Sequence, residues 1–215
     1  FEGDNMRSFS LNLKGRVKNF NLPKNRPLIP LYEAIVNSIH AIQERREADP
    51  TFIGGKIEVN VVRSAQINSI EETAQVEGFD VIDNGIGFDE KNMRSFLESD
   101  STYKESLGGK GVGRFSLLKA FRSVKITSVF KVDQRYVKRS FDFNLSNLIQ
   151  DTLVEYPDAE DYCTKISLNT YFDDYKKEVP KQADAIALRV IQHCFIYFLD
   201  ENCPQIQLKN AYITI

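Results

Sequence analysis

Between Ser106 and Ser116 the chain reads SLGGKGVGRFS, with four glycines in the six residues Gly108–Gly113 and an apolar run, RFSLLKAF, starting directly afterwards. Neither a helix interior nor a paired strand accommodates that much backbone freedom, because glycine gives up more conformational entropy on ordering than any other residue. The stretch therefore lies between elements, and the helix after it begins with several accessible backbone N–H groups. With Lys110 alongside, such a helix start meets the requirements of a phosphate cradle. A plain hinge fits the same stretch equally well.

The familiar cradles do not match. A Walker A loop needs Ser or Thr after its Gly-Lys, whereas Lys110 is followed by Gly111. A dinucleotide fingerprint comes straight off a strand as GxGxxG, whereas the spacing here is GxGxG after a polar segment. A protein-kinase loop would be accompanied by an HRD motif, and none occurs.

The rest of the chain supplies the frame. PLIPLYEAIVNSIHAIQERREADP spaces Leu31, Ala34, Ile35, Ile39 and Ile42 along one helical face and predicts a helix over 30–48. KIEVNVV (56–62) and GFDVIDNG (78–85) read as strands, with a polar loop over 63–77. A short helix is expected within 89–100, a mobile polar segment over 101–111, and an apolar helix over 112–121. Strands are expected at 124–130, 135–144 and 164–172. Pro180 suits the first turn of a later apolar helix, and 205–215 reads as a hairpin cut short. This order of helices and strands predicts an α+β, two-layer sandwich with helices on one sheet face.

At 42% hydrophobic and 27% charged, with 15 Phe and 9 Tyr, the composition is globular and excludes a disordered chain. The net charge of -2 gives no overall field toward nucleic acid or an anionic membrane. The basic stretch KVDQRYVKR (131–139) reads as a solvated hairpin. Cys163, Cys194 and Cys203 form no CxxC pair, and an odd count suggests no disulfide framework, which suits a reducing cytoplasm. No apolar run is long enough to span a membrane.

Two polar clusters interrupt apolar elements. Glu33 and Asn37, four residues apart, share a helix face, where a carboxylate and an amide oxygen could polarise a water and hold Mg2+. Asp83-Asn84-Gly85-Ile86-Gly87-Phe88 ends a strand. There a carboxylate could accept from an amino group, glycines admit a flat ring, and Phe88 offers an apolar wall. Singly, the first is an ordinary solvated pair and the second an ordinary turn.

Together and in this order, Glu33xxxAsn37, Asp83xGly85xGly87 and Gly109xGly111xGly113 resemble the three nucleotide-binding boxes of the GHKL superfamily. That superfamily includes DNA gyrase, the large heat-shock chaperone, sensor histidine kinases and MutL-type mismatch-repair ATPases. The resemblance covers roughly Leu31 to Tyr171. It implies the Bergerat-type fold, a mixed sheet packed with helices, and Mg-ATP as ligand. By that resemblance Glu33 is the carboxylate that activates the attacking water, Asn37 binds Mg2+ and Asp83 receives the adenine amino group. Gly85, Gly87 and Phe88 flank the ring. Gly109, Lys110, Gly111, Val112 and Gly113 wrap the phosphates, and Thr164 helps a water contact adenine. Residues 89–108 would form a lid over ATP.

The sequence departs from the family at His40, where several branches carry aspartate, and at Cys163, where a glycine is usual. A surface or simply packed histidine and a buried small hydrophobe are the plain expectations. Apart from His40 there is only His193, which disfavours kinase activity, and Glu33 points to the hydrolysing branch. The resemblance therefore implies an ATPase module, residues 1–178, followed over 179–215 by a helix and the start of a further domain. ATP-dependent homodimerisation of a longer protein is also implied, as is slow or negligible turnover by this stretch alone. The alternative function is a nonhydrolytic nucleotide-sensing or interaction module. Its client, protein or nucleic acid, is not indicated.

Overall fold

Alternation at every second residue commits Lys56–Arg63 to a strand with one covered face, and Ile57, Val59 and Val61 are indeed fully buried. The computed structural model describes residues 3–8, 13–64, 74–97, 113–146 and 148–212. Along the chain these form β1 (Gly3–Ser8), α1 (Leu13–Asn19), α2 (Ile29–Ala48), β2 (Lys56–Arg63), β3 (Val76–Asp83), α3 (Glu90–Leu97) and α4 (Arg114–Ala120). There follow β4 (Phe121–Val132), β5 (Arg135–Phe143), β6 (Leu148–Glu155), β7 (Cys163–Tyr171), α5 (Asp173–Lys176), α6 (Ala183–His193), α7 (Phe195–Phe198) and β8 (Gln205–Tyr212).

The strands make one sheet in the order β1-β6-β5-β4-β7-β3-β2-β8. Every neighbouring pair is antiparallel except β2 with β8, so the sheet is mixed. Leu31, Ala34, Ile35, Ile39 and Ile42 of α2 join the core with Val59 and Val61 of β2, Val81 of β3, Ile126 of β4 and Leu168 of β7. Leu13 and Val17 of α1 and Phe115, Leu117 and Leu118 of α4 join the same cluster. The result is the expected α+β two-layer sandwich.

Two tyrosines fix the approach to α2. Tyr171 donates its hydroxyl to the Pro27 carbonyl at 2.9 Å and Tyr175 donates to that of Leu22 at 3.0 Å. A bulge between Val62 and Arg63 skips a residue of β3. Beside it, any Cβ at Gly78 would collide with the Leu168 carbonyl of β7.

Several parts of the chain differ from expectation, the unexpected β1 and α1 among them. Gln205–Tyr212, expected as part of a hairpin, is one continuous strand running parallel to β2 and bordering it in the same sheet. β6 was not expected, because its core-facing positions carry Ile149 and then Asp151, an acid that is 0% exposed and breaks the apolar alternation. Arg139, expected to be solvated, is 2% exposed, and its Nε lies 3.1 Å from Asp151 Oδ2.

Breaking a buried ion pair from one side strands the other charge and costs about 3–5 kcal/mol, whereas replacing both partners with apolar groups is often neutral. Arg139→Ala is therefore expected to destabilise the protein by about that amount. Arg139→Met/Asp151→Leu should recover part of the loss in urea unfolding, the hydrogen bonds of Arg139 to the Phe88 and Asp89 carbonyls remaining lost. An equally unstable double variant would refute this account of the pair.

Candidate functional site

Helix α2 starts with Pro30 in its first turn, where a missing N–H costs nothing, and ends with the Asp49 N–H on the Arg45 carbonyl. Its 3.6-residue period distributes the polar side chains among different faces. Ser38, which is buried, faces the sheet, while Glu33 is half-buried and Asn37 exposed. Burial pushes the Glu33 carboxyl above its ordinary range. Gly113, at the mouth of α4, is seated against Glu33 so closely that a Cβ there would fall inside the carboxylate. The structure thus brings together the first glutamate and the last glycine of the predicted set, although 80 residues separate them in sequence.

At the end of β3, Asp83 is 4% exposed. Its Oδ2 accepts from Ser38 Oγ at 2.7 Å and its Oδ1 from the Gly85 N–H at 2.9 Å. Loss of solvent raises its pKa to about 6, against the lowering effect of these two hydrogen bonds. Thr164 of β7 stands opposite Asp83 in the ladder. Its hydroxyl lies 2.9 Å from that of Ser128 on β4, and Ser128 Oγ accepts the Phe88 N–H at 3.0 Å. Ser38 and Asp83 on one side, and Thr164, Ser128 and the Phe88 backbone on the other, make a buried polar floor between sheet and helix.

The turn after Asp83 is seated against α2. A Cβ at Gly85 would lie 2.6 Å from the Ala41 Cβ and 2.7 Å from its carbonyl carbon, and the Ile86 N–H donates to the Ala41 carbonyl at 3.0 Å. Gly87 has φ +84°, and a Cβ there would lie 2.9 Å from Ser128 Oγ. Arg45 of α2 donates to the Asn84 carbonyl at 2.7 Å and to Asp161 at 2.6 Å, between the rings of Phe52 and Tyr162. From the other side Arg139 donates to the carbonyls of Phe88 at 2.7 Å and Asp89 at 3.0 Å, and to Glu90 at 3.1 Å. Phe88 packs edge-on against Phe96 and Phe141, both with ring centroids 5.5 Å away.

Asp83, Gly85, Gly87, Phe88 and Thr164 therefore gather at one end of β3, and Gly113 at the start of α4 meets Glu33, while Asn37 lies exposed one turn further along α2. Gly109, Lys110, Gly111 and Val112, with most of the expected lid, lie outside the described residues. His40 is packed, as expected, with its Nε2 3.3 Å from the Tyr197 hydroxyl. Cys163 is exposed at the start of β7, which corrects its expected burial. Ser38, Ser128, Arg45 and Arg139 were missed. No local signal marked them, since a single serine or arginine in an otherwise regular element does not disturb its period.

Asp83 sets a pH dependence. Its folded pKa lies above the ordinary 3.8, so protonation favours the fold. The stability it contributes is complete below that ordinary value and is lost as pH rises through about 6. Denaturant unfolding at a series of pH values should show wild type losing stability relative to Asp83→Asn across that window. Parallel pH curves would overturn the assignment.

The described residues contain no helix long and apolar enough to cross a membrane and no metal-binding group of three or more His, Cys, Asp or Glu. No curated protein matches the chain. Residues 29–171, from the first residue of α2 to the last of β7, match the family described as histidine kinase-, DNA gyrase B- and HSP90-like ATPase. The matched span is well over half of the chain and contains every residue placed in the site above, so the chain belongs to the histidine kinase-, DNA gyrase B- and HSP90-like ATPase family.

Proposed function

We propose that this ATP-binding module takes Mg-ATP with its adenine against Asp83 and its phosphates toward Gly113, and uses binding and hydrolysis to drive a conformational change. The observation that carries the reading is the Asp83 carboxylate. It is buried, oriented by Ser38 and Gly85, and raised in pKa for want of solvent, which gives a directed acceptor with unused capacity in a dry site. An exocyclic amino group supplies the matching donor. Thr164, held by Ser128, orients a water to the same ring, and bare Gly87 leaves the backbone open to it.

The phosphate end follows from α2 and α4. The chain around Gly113, with Lys110, would enclose the phosphates. Glu33, whose pKa burial raises above the ordinary carboxylate value, is the base that takes a proton from the attacking water. Asn37 offers one exposed amide oxygen on the Glu33 face of α2, which fits an ion that keeps most of its waters and leans on phosphates. When bound, Mg2+ would neutralise phosphate charge. Residues 89–108 would act as the lid, and its closure would promote pairing of modules in a longer protein.

Asp83→Asn is expected to weaken Mg-ATP binding by roughly 10- to 100-fold, the worth of a hydrogen bond to a charged group, with the fold intact by circular dichroism. Glu33→Ala should keep ATP affinity within a few-fold and lose turnover, which is slow even in wild type. Calorimetry and phosphate release measure the two. Binding unaffected by Asp83→Asn would refute the adenine assignment. ATP binding with no turnover in wild type, alone or with further chain attached, would turn the reading to nonhydrolytic sensing.

A further inference from the structure

Helices α6 and α7 have two unlike faces. Inward, Ile186, Val190 and Cys194 are buried. On the same side His193 stacks on Tyr32 of α2 with ring centroids 4.2 Å apart, and Tyr197 meets His40. Outward, Leu188, Ile191, Phe195, Ile196, Phe198 and Leu199 are 37–69% exposed. These six large apolar side chains lie within twelve residues. The other exposed large hydrophobics among the described residues, Ile53, Leu145, Val154, Tyr156 and Phe172, are scattered along the chain.

The six expose on the order of 600 Å² of apolar surface, the upper end of what a monomer usually shows and most of the roughly 800 Å² each partner buries in a stable complex. Leu188 and Ile191 on α6, Phe195 at the start of α7 and Leu199 just past its end follow one another at spacings of three, four and four residues, so an apolar ridge continues across the break at Cys194. A membrane surface suits this ridge poorly. Interfacial helices carry a polar face rich in Lys and Arg, whereas here Lys181 and Arg189 are outnumbered by Asp184, Asp200 and Glu201.

We propose that this ridge is a self-complementary interface between two copies of the chain, paired antiparallel about Ile191. A two-fold axis there sets Leu188 of one copy against Phe195 of the other, with Ile191 meeting itself. It also brings Lys181, ahead of α6, opposite Glu201, after α7, so opposite charges close both ends of the seam. The pairing requires no nucleotide and is separate from any closure driven by ATP.

Sedimentation velocity without nucleotide tests it. At roughly 50 µM the wild-type chain is expected to sediment as a dimer, since interfaces of standard size reach at least micromolar affinity. Phe195→Glu should weaken association about 30-fold or more, as loss of a central anchor does, while leaving thermal unfolding and ATP binding unchanged. Ile191→Glu provides the same test should the first variant fold poorly. Lys181→Glu should weaken pairing several-fold, and Lys181→Glu/Glu201→Lys should restore it. A monomeric wild type, a Phe195→Glu variant that still dimerises, or wild type that instead cosediments with anionic vesicles would overturn the proposal. Failure of the double charge reversal would overturn its antiparallel arrangement.

Discussion

Helix α2 can lie against the end of β3 because residue 85 has no side chain. With the Ala41 Cβ 2.6 Å and its carbonyl carbon 2.7 Å from where a Cβ would sit, the turn lies directly on the helix backbone. The Ile86 N–H then reaches the Ala41 carbonyl, and Arg45 reaches back to the Asn84 carbonyl. These contacts fix the height of α2 above the sheet and thereby bring Ser38 within 2.7 Å of Asp83. A methyl group at 85 would lift the helix, and each distance that depends on it would open together.

That geometry explains how a carboxylate can be held under the fold at modest cost. An isolated charge would be intolerable there, and a fully paired one would have no capacity left for a ligand. Asp83 lies between these limits: one hydroxyl and one amide support it, no cation neutralises it in the described contacts, and its pKa of about 6 records the balance. The neighbouring Thr164–Ser128 pair secures the other half of the floor to the Phe88 backbone. Rigidity of the floor therefore comes from β3, β4 and β7, and its chemistry from single polar residues on each.

The sequence made some of this legible because spacing carries geometry. Four residues put Glu33 and Asn37 on one helix face, and glycine at 85 and 87 announced a turn that something must approach closely. Apolar alternation located β2, β4, β5 and β7 within a few residues. Ser38 and Ser128 left no trace, since one small polar residue in an apolar element does not disturb its period. Arg139 was hidden by its company, because adjacent basic residues alternate between solvent and core along a strand and nothing local marks the inward one. Asp151 hid a whole strand for the converse reason. The partner of β8 could not be read at all, since a parallel pairing with β2 is made by the intervening chain and not by either strand's own pattern.

Arg114, at the first position of α4, donates to the carbonyls of Ser95 and Phe96 near the end of α3 and is 8% exposed. The end of α3 and the start of α4 are therefore held together by one buried side chain, which closes the connection between them within the folded body. For a closed ring the entropic cost rises only with the logarithm of its length, about 0.6 kcal/mol per doubling. Chain can thus be added or removed between those two anchors with little effect on the stability of the sandwich, which leaves that stretch open to evolutionary change in length while the floor beneath it stays constant.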